Sequence, residues 1–157
     1  MILESITEVV CHESITDILA RKGSQVWSIG PDASVFEAVR LMDEVSAGAL
    51  PVLHGGRLIG MISERDYARK IVLKGRSSQQ TRVSEIMTSP AISVERDARV
   101  TGCLQLMTER RIRHLPVVEN GSLTGIVSIG DLVNAVLSAQ AAEMRQLKSY
   151  VAGHYPA

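Results

Sequence analysis

No stretch of this chain runs the eighteen or so apolar residues that a membrane helix requires, so a membrane-embedded protein is not expected. Cysteine is nearly absent: Cys11 and Cys103 are the only two. They form no Cys-x-x-Cys and stand at no zinc-ligand spacing, so they read as small apolar residues of a protein kept reduced in the cytoplasm. Neither sign of charge is in excess, with 17 Lys+Arg against 17 Asp+Glu. That balance argues against a protein that wraps a polyanion, since nucleic-acid binding rests on a basic face that displaces counterions; a small local anion site remains open. Met1–Val10 carries Glu4 and Glu8 and no basic cluster, so no secretion signal is expected there. Gly-x-Ser-x-Gly, His-Glu-x-x-His, a Walker A loop and any Cys/His cluster are missing. His12, His54, His114 and His154 are scattered; His114 with Asp131 could form an acid–base pair, but nothing supplies a nucleophile. The expectation is a non-enzyme with no catalytic cofactor and no metal site.

What the chain does have is repetition. Shifted by sixty-five residues it aligns with itself without a gap, Ser28–Val72 over Ser93–Leu137, and fifteen of those forty-five positions are identical. Asp32-Ala33 matches Asp97-Ala98, Leu41-Met42 matches Leu106-Met107, and Leu50-Pro51-Val52 matches Leu115-Pro116-Val117. Gly56, Leu58, Gly60, Ser63 and Asp66 match Gly121, Leu123, Gly125, Ser128 and Asp131. Upstream, Ile18 meets Ile86 only after a slip of three residues, so the first copy carries an insertion near Arg21 to Gln25.

Each copy predicts the same order of elements. A short strand at Val26–Ile29 or Ala91–Val94 leads to a helix with Asp32 or Asp97 as N-cap. Val35, Val39 and Met42 share one face of the first helix, as Val100, Leu104 and Met107 do in the other copy. Strands follow at Ala49–Leu53 and His114–Val118, each with a proline that points to an edge or a strand end. Hairpin turns at His54-Gly55-Gly56 and Glu119-Asn120-Gly121 lead to return strands Leu58–Ile62 and Leu123–Val127, then to helices from Ser63 and Ser128. The expected class is α/β (α+β), two β-α-β-β-α units packed sheet to sheet about a pseudo-twofold axis, because one such unit is too small to bury its own sheet. The units are placed at 13–75 and 83–138, with an extension at 1–12, a linker at 76–82 inside the exposed Lys74–Arg82 segment, and a helix and tail at 139–157.

Both copies share the form Gly, two apolar residues, Ser, two variable residues, Asp. Ser-x-x-Asp is first of all a helix-start capping pattern. The same geometry suits a ligand: a helix start following a strand presents N–H groups and partial positive charge, and a carboxylate beside it can accept both hydroxyls of a ribose diol. One such motif is weak evidence; two at fixed spacing are not.

The doubled Gly-apolar-apolar-Ser-x-x-Asp and the Leu-Pro-Val strands resemble a pair of cystathionine-β-synthase (CBS) domains, the Bateman module, over about Glu13 to Leu137. The run Ser63 to Lys70, with Gly75-Arg76-Ser77-Ser78, is similar to stand-alone CBS pairs of bacteria and plant organelles. The resemblance implies a regulatory module that binds AMP, ADP, ATP, NAD(H) or S-adenosylmethionine in two clefts between the copies. It implies that Ser63 and Asp66 hold ribose in one cleft and Ser128 and Asp131 in the other. It also implies a homodimer joined through the Val35–Met42 and Val100–Met107 helices, with a regulated protein as a further partner. A ligand-free interaction module is the alternative.

The copies diverge in their basic residues. Arg111-Ile112-Arg113-His114 stands where the first copy has Ser46-Ala47-Gly48-Ala49, and Ile129-Gly130 stands where the first copy has Glu64-Arg65. By resemblance to the γ subunit of AMP-activated protein kinase, Arg113 and His114 face phosphates. Arg65 is the other phosphate candidate, with Arg69 one turn on, each competing with a solvated basic face. For the adenine, Val26 and Trp27 are expected to line the first copy's slot and Thr88, Pro90 and Ile92 the second's, with Pro51 and Pro116 as floors. Ala49 and Gly130 complete the candidate set. Trp27 is the only tryptophan, and burial in the core competes with a ligand role.

Overall fold

Two glycine-bearing turns set the hairpins. Gly55 and Gly56 have φ of 57° and 78°, and Asn120 and Gly121 have 51° and 79°. Paired positive φ values are what a two-residue turn needs to match the twist of its strands, and Gly and Asn tolerate them best. The first turn joins β1 (Ala49–His54) to β2 (Arg57–Ser63) in antiparallel register, with Ala49 opposite Ser63 and Pro51 opposite Met61. The second joins β4 (His114–Glu119) to β5 (Ser122–Ser128), and β3 (Val94–Glu95) adds to β4, giving the order β3-β4-β5. The computed structural model describes residues 11–23 and 25–153. The expectations for Met1–Val10 and His154 lie outside them.

The helices are α1 (Ile15–Lys22), α2 (Val35–Val45), α3 (Glu64–Tyr67) running on as a π-helical turn (Ala68–Val72), α4 (Val83–Ile86), α5 (Val100–Arg110) and α6 (Ile129–Val151). This is the expected mixture of helix and strand. Two expectations need correction. The predicted strands at Val26–Ile29 and Ala91–Val94 reduce to a single bridge from Ile29 to Val52 and to the two-residue β3. The caps of α2 and α5 are Ser34 and Arg99, two residues beyond Asp32 and Asp97. Ser34 accepts from the Glu37 N–H at 3.1 Å while the Glu37 carboxylate accepts from the Ser34 N–H at 2.9 Å, a reciprocal cap. Asp32 cannot play that part because the chain around it is drawn into pairing with α4: Ser84 donates to the Pro31 carbonyl and Val83 to that of Ala33.

Pro51 meets its expectation. Its carbonyl accepts from Ile29 and the Leu53 N–H donates to the Ile29 carbonyl, so Pro51 turns its donor-less nitrogen toward the side with one bridge, away from β2. Lys74–Arg82 is exposed only in part. The Thr81 carbonyl caps α2 by accepting from the Val35 N–H at 2.8 Å, and Thr81 itself is buried.

The described chain divides into two compact units, 25–93 with 116–126, and 11–23 with 94–115 and 127–153. These are not the two sequence copies. In the first unit the core is Val35, Ala38, Met42, Leu50, Val52, Ile62 and Ile71, completed by Val83 and Ile86 of α4, the helix that opens the second copy. In the second unit Ile15, Ile18 and Leu19 of α1, which opens the first copy, are buried, as are Val100, Cys103, Met107, Val127 and Leu132. The backbone bonds repeat atom for atom. Val83 donates to Ala33, Ser84 to Pro31, and Val35 to Thr81; Ile15 donates to Ala98, Thr16 to Arg96, and Val100 to Glu13. Each opening helix is therefore exchanged onto the other copy.

Cys11 and Cys103 are free and buried, and burial pushes the Cys103 thiol up to about 11. They are the apolar residues the sequence implied. One glycine is required by the exchange. A Cβ on Gly60 would lie 2.9 Å from the Thr88 carbonyl oxygen and 2.8 Å from Met87 Sδ, where the segment after α4 crosses β2. Gly60→Ala should therefore lower unfolding free energy by about 1–3 kcal/mol in urea denaturation, because the backbone at Thr88 must move. A loss below about 0.5 kcal/mol would show that the crossing yields freely.

Candidate functional site

Each Ser-x-x-Asp lies where a strand turns into a helix, and each folds into a reciprocal cap. At the end of β2 the Ser63 Oγ accepts from the Asp66 N–H at 3.2 Å and donates to Asp66 Oδ2 at 3.0 Å, while the Ser63 N–H donates to the same oxygen at 3.0 Å. At the end of β5 the Ser128 Oγ accepts from the Asp131 N–H at 3.2 Å, and the Ser128 N–H donates to Asp131 Oδ2 at 2.8 Å. The capping role is thus present at both places, and both carboxylates remain partly exposed, at 13% and 24% of the side chain.

A lysine meets each carboxylate. Lys70 Nζ lies 3.0 Å from Asp66 Oδ1 and also donates to the Ile86 carbonyl at 2.7 Å. One ammonium thus ties the candidate carboxylate to the C-terminal end of α4, where cations are favoured. Lys22 Nζ lies 2.7 Å from Asp131 Oδ2. It comes from the last turn of α1, 109 residues away in sequence, beside the three-residue insertion. Helical spacing already lets Asp66 balance Lys70 one turn on, but nothing local in the sequence could have given Lys22 as the partner of Asp131.

Exchange also regroups the expected residues. Thr88 pairs with Met61, which stands opposite Pro51 and two residues before Ser63. Thr88 therefore belongs with Ala49, Pro51, Ser63 and Asp66 of the first copy, not with Ser128 and Asp131. Pro90 follows it after a cis Ser89–Pro90 bond, and Pro90 is exposed while Ile92 is half-buried. Trp27, 49% exposed, is not a core residue, and Val26 beside it is half-buried. Both precede Ile29, the residue that bridges β1 at Val52. The Gly48 carbonyl accepts from the Glu64 N–H at 3.0 Å, which fixes Ala49 next to the start of α3. Arg65 and Arg69 lie on its exposed side.

In the second unit the Arg113 carbonyl accepts from the Ile129 N–H at 2.8 Å, which holds Arg113 and half-buried His114 beside the start of α6. Gly130 is exposed, and a Cβ there would touch only Ser128 Oγ, at 3.6 Å. Pro116 is buried in β4. Among the described residues no cluster of three or more His, Cys, Asp or Glu could hold a metal ion.

The Asp131 carboxyl sits below its ordinary value of 3.8: burial pushes it up, but hydrogen bonds from Lys22 and Ser128 outweigh burial and stabilise the ionised form. A lowered folded-state value means that the ionised group stabilises the fold fully above the ordinary aspartate range, and that this contribution is lost as pH falls through the lowered value. Wild type should exceed Asp131→Asn by about 0.5–1 kcal/mol at neutral pH, the discount reflecting solvent exposure of the pair. The gap should close in acid below 3.8. Urea denaturation across a pH series measures it, and a gap that persists unchanged in acid would contradict the ion pair.

The family model for the CBS domain matches this chain twice, over residues 15–73 and 83–138. CBSX3, a mitochondrial CBS domain-containing protein of Arabidopsis thaliana, is 41% identical over 152 residues, which cover 90% of this chain and 73% of that protein. The CBS domain-containing protein YhcV of Bacillus subtilis is 37% identical over 119 residues, covering 76% and 84%. Among solved structures, a signal-transduction protein with CBS domains from Burkholderia ambifaria matches with a TM-score of 0.77 at 43% identity, over 80% of this chain and 95% of that one. A hexameric CBS-CP12 protein from bloom-forming cyanobacteria matches with a TM-score of 0.69 at 30% identity, over 77% and 70%. The doubled hairpins, the doubled Ser-x-x-Asp caps and the two family matches together make this chain a tandem CBS pair, a member of the CBS domain family alongside its regulatory and signal-transduction proteins.

Proposed function

We propose that this CBS pair is a sensor of adenine nucleotides, with the Asp66 and Asp131 carboxylates as seats for a ribose diol. The observation that carries the reading is that both carboxylates stand at equivalent strand-to-helix turns and keep part of their acceptor capacity. Asp66 Oδ2 accepts from Ser63 and its Oδ1 meets Lys70, Asp131 Oδ2 accepts from Ser128 and Lys22, and both side chains remain partly exposed. A carboxylate offers about four lone-pair sites, so a diol can be added without breaking the cap. Arg65 and Arg69 at the first seat, and Arg113 at the second, supply cationic groups for phosphates, with the His114 imidazole beside Arg113 as a further hydrogen-bonding group. Half-exposed Trp27 with Val26, and Thr88 with Pro90 and Ile92, supply apolar and stacking surface for a base. The ligand class is AMP, ADP, ATP or NAD(H), with S-adenosylmethionine as the variant lacking phosphate.

Signalling would follow from differential affinity. A nucleotide that prefers one arrangement of the chain shifts the population toward it by the difference in binding energy and no more. The output would be a change in self-association or in the grip on a regulated protein. The hexameric state of the cyanobacterial CBS-CP12 relative makes self-association the simpler of the two. Two unpaired buried thiols suit a reducing compartment such as the cytoplasm, although the Arabidopsis relative carries "mitochondrial" in its name.

A second reading, a ligand-free interaction module, draws on the lysines. Lys70 and Lys22 already neutralise both carboxylates, so the turns could be purely structural. Differential scanning fluorimetry separates the two. AMP at a hundred times its dissociation constant should add about 2.7 kcal/mol of stability. Asp66→Ala and Asp131→Ala should each weaken one site by roughly ten- to a hundredfold, the range expected when a hydrogen bond to a charged group is lost. 2′-Deoxy-AMP should bind more weakly than AMP. Absence of stabilisation by every nucleotide at millimolar concentration would favour the ligand-free module.

A further inference from the structure

The C-terminal part of α6 is apolar on a face that its own unit does not use. Leu132 and Ala135 are buried, and Ala139, Ala142, Glu143 and Gln146 continue along a shallow cleft of about 770 Å³ shared with α1, with Glu143 by helical spacing at the margin between this face and the opposite one. On the other side Val133, Leu137, Met144, Leu147 and Val151 are 41%, 56%, 56%, 57% and 89% exposed. Their spacing, with Gln140 between Leu137 and Met144, alternates four and three residues without a break over five steps. That is the a/d seam of a coiled coil, with Leu137, Met144 and Val151 at a and Val133, Gln140 and Leu147 at d. From residue 140 to 151 every residue is exposed, and a helix of only that length is marginal in water without a partner.

We infer that α6 pairs with α6 of a second copy of this chain as a parallel two-stranded coiled coil. Charge picks the occupant and the direction. In this register Glu143 falls at g and Lys148 at the following e position. In a parallel pair g of one helix faces the next e of the other, so Glu143 meets the second copy's Lys148 twice across the seam. An antiparallel pair places g against g and e against e, opposing like charges at both positions. Gln140, a polar residue at d, fixes the register, as buried amides do in such seams. A membrane is the weaker occupant: no helix among the described residues is long and apolar enough to cross one. The polar side of this segment also mixes Glu143 with Arg145 and Lys148 and lacks the uniformly basic face of interfacial helices. This surface is separate from the α2 and α5 helices expected to join copies, whose Val35, Ala38, Met42, Val100, Cys103 and Met107 are buried inside the units.

Sedimentation equilibrium over a concentration series tests the pairing on the full chain. Wild type should dimerise. Glu143→Lys and Lys148→Glu should each weaken the dimer by about tenfold, since each turns two attractive exposed pairs into two repulsive ones. The double variant carrying both changes should restore wild-type affinity. Both substitutions are at exposed positions, and circular dichroism should show unchanged helix content in all three variants. Met144→Glu with Leu147→Glu should abolish the dimer. A wild-type chain that remains monomeric throughout, or that floats with anionic vesicles as a monomer, overturns the inference. So does a dimer that the single charge reversals leave as tight as wild type, since that is the behaviour of an antiparallel pair or of association through other helices.

Discussion

The structure depends on an exchange. The helix that opens each sequence copy finishes the core of the other, held by the same three backbone hydrogen bonds in both places. Without α4, the β1-β2 hairpin and α2 would leave the sites now covered by Val83 and Ile86 open to water; without α1, α5 and α6 would lose Ile15, Ile18 and Leu19. Burying such side chains is worth roughly 1.5–3 kcal/mol each, a large part of the net stability of a domain this size. Neither copy can therefore be expected to stand by itself, and the repeat is a fold only as a pair.

Exchange also furnishes the candidate sites. A Ser-x-x-Asp turn is by itself a cap, satisfied within four residues. What lies around it comes from the opposite copy: the Thr88 bridge to β2 and the Ile86 carbonyl under Lys70 in one unit, Lys22 on Asp131 in the other. The two carboxylates reach the same state by different routes. Ala135 occupies the position equivalent to Lys70, so the second copy has no lysine one turn after its aspartate, and Lys22 takes that place from across the unit. The electrostatic requirement, one ammonium per carboxylate, is kept while the residue that meets it changes. A ligand entering either turn meets a different neighbourhood: Arg65 and a lysine on the same helix in the first, Gly130 and a lysine on a separate helix in the second.

Local chemistry was legible in the sequence and tertiary exchange was not. Gly55-Gly56 and Asn120-Gly121 announced hairpins because few other residues accept positive φ twice in succession. Ser63 and Ser128 announced helix starts because the cap closes within four residues. Asp32 and Asp97 misled because the segments holding them pair with a helix some fifty residues ahead or eighty behind, and pairing moved the helix starts to Val35 and Val100. Thr88 was assigned to the wrong copy for the same reason. The three-residue insertion near Lys22 was visible, but its consequence, the reach of Lys22 to Asp131, exists only once α1 has crossed over. Large aromatics are usually buried for their area, which favours a core place for Trp27, yet it is 49% exposed, and the core is filled by Val, Ile, Leu and Met side chains.

The central claim is that the capped aspartates are ribose seats. A crystal structure of the chain grown with AMP tests it most directly. The account predicts the 2′- and 3′-hydroxyls within hydrogen-bond distance, about 2.6–3.0 Å, of the Asp66 or Asp131 carboxylate, with the Ser63 or Ser128 cap still closed. A nucleotide bound with its ribose away from both carboxylates would contradict it.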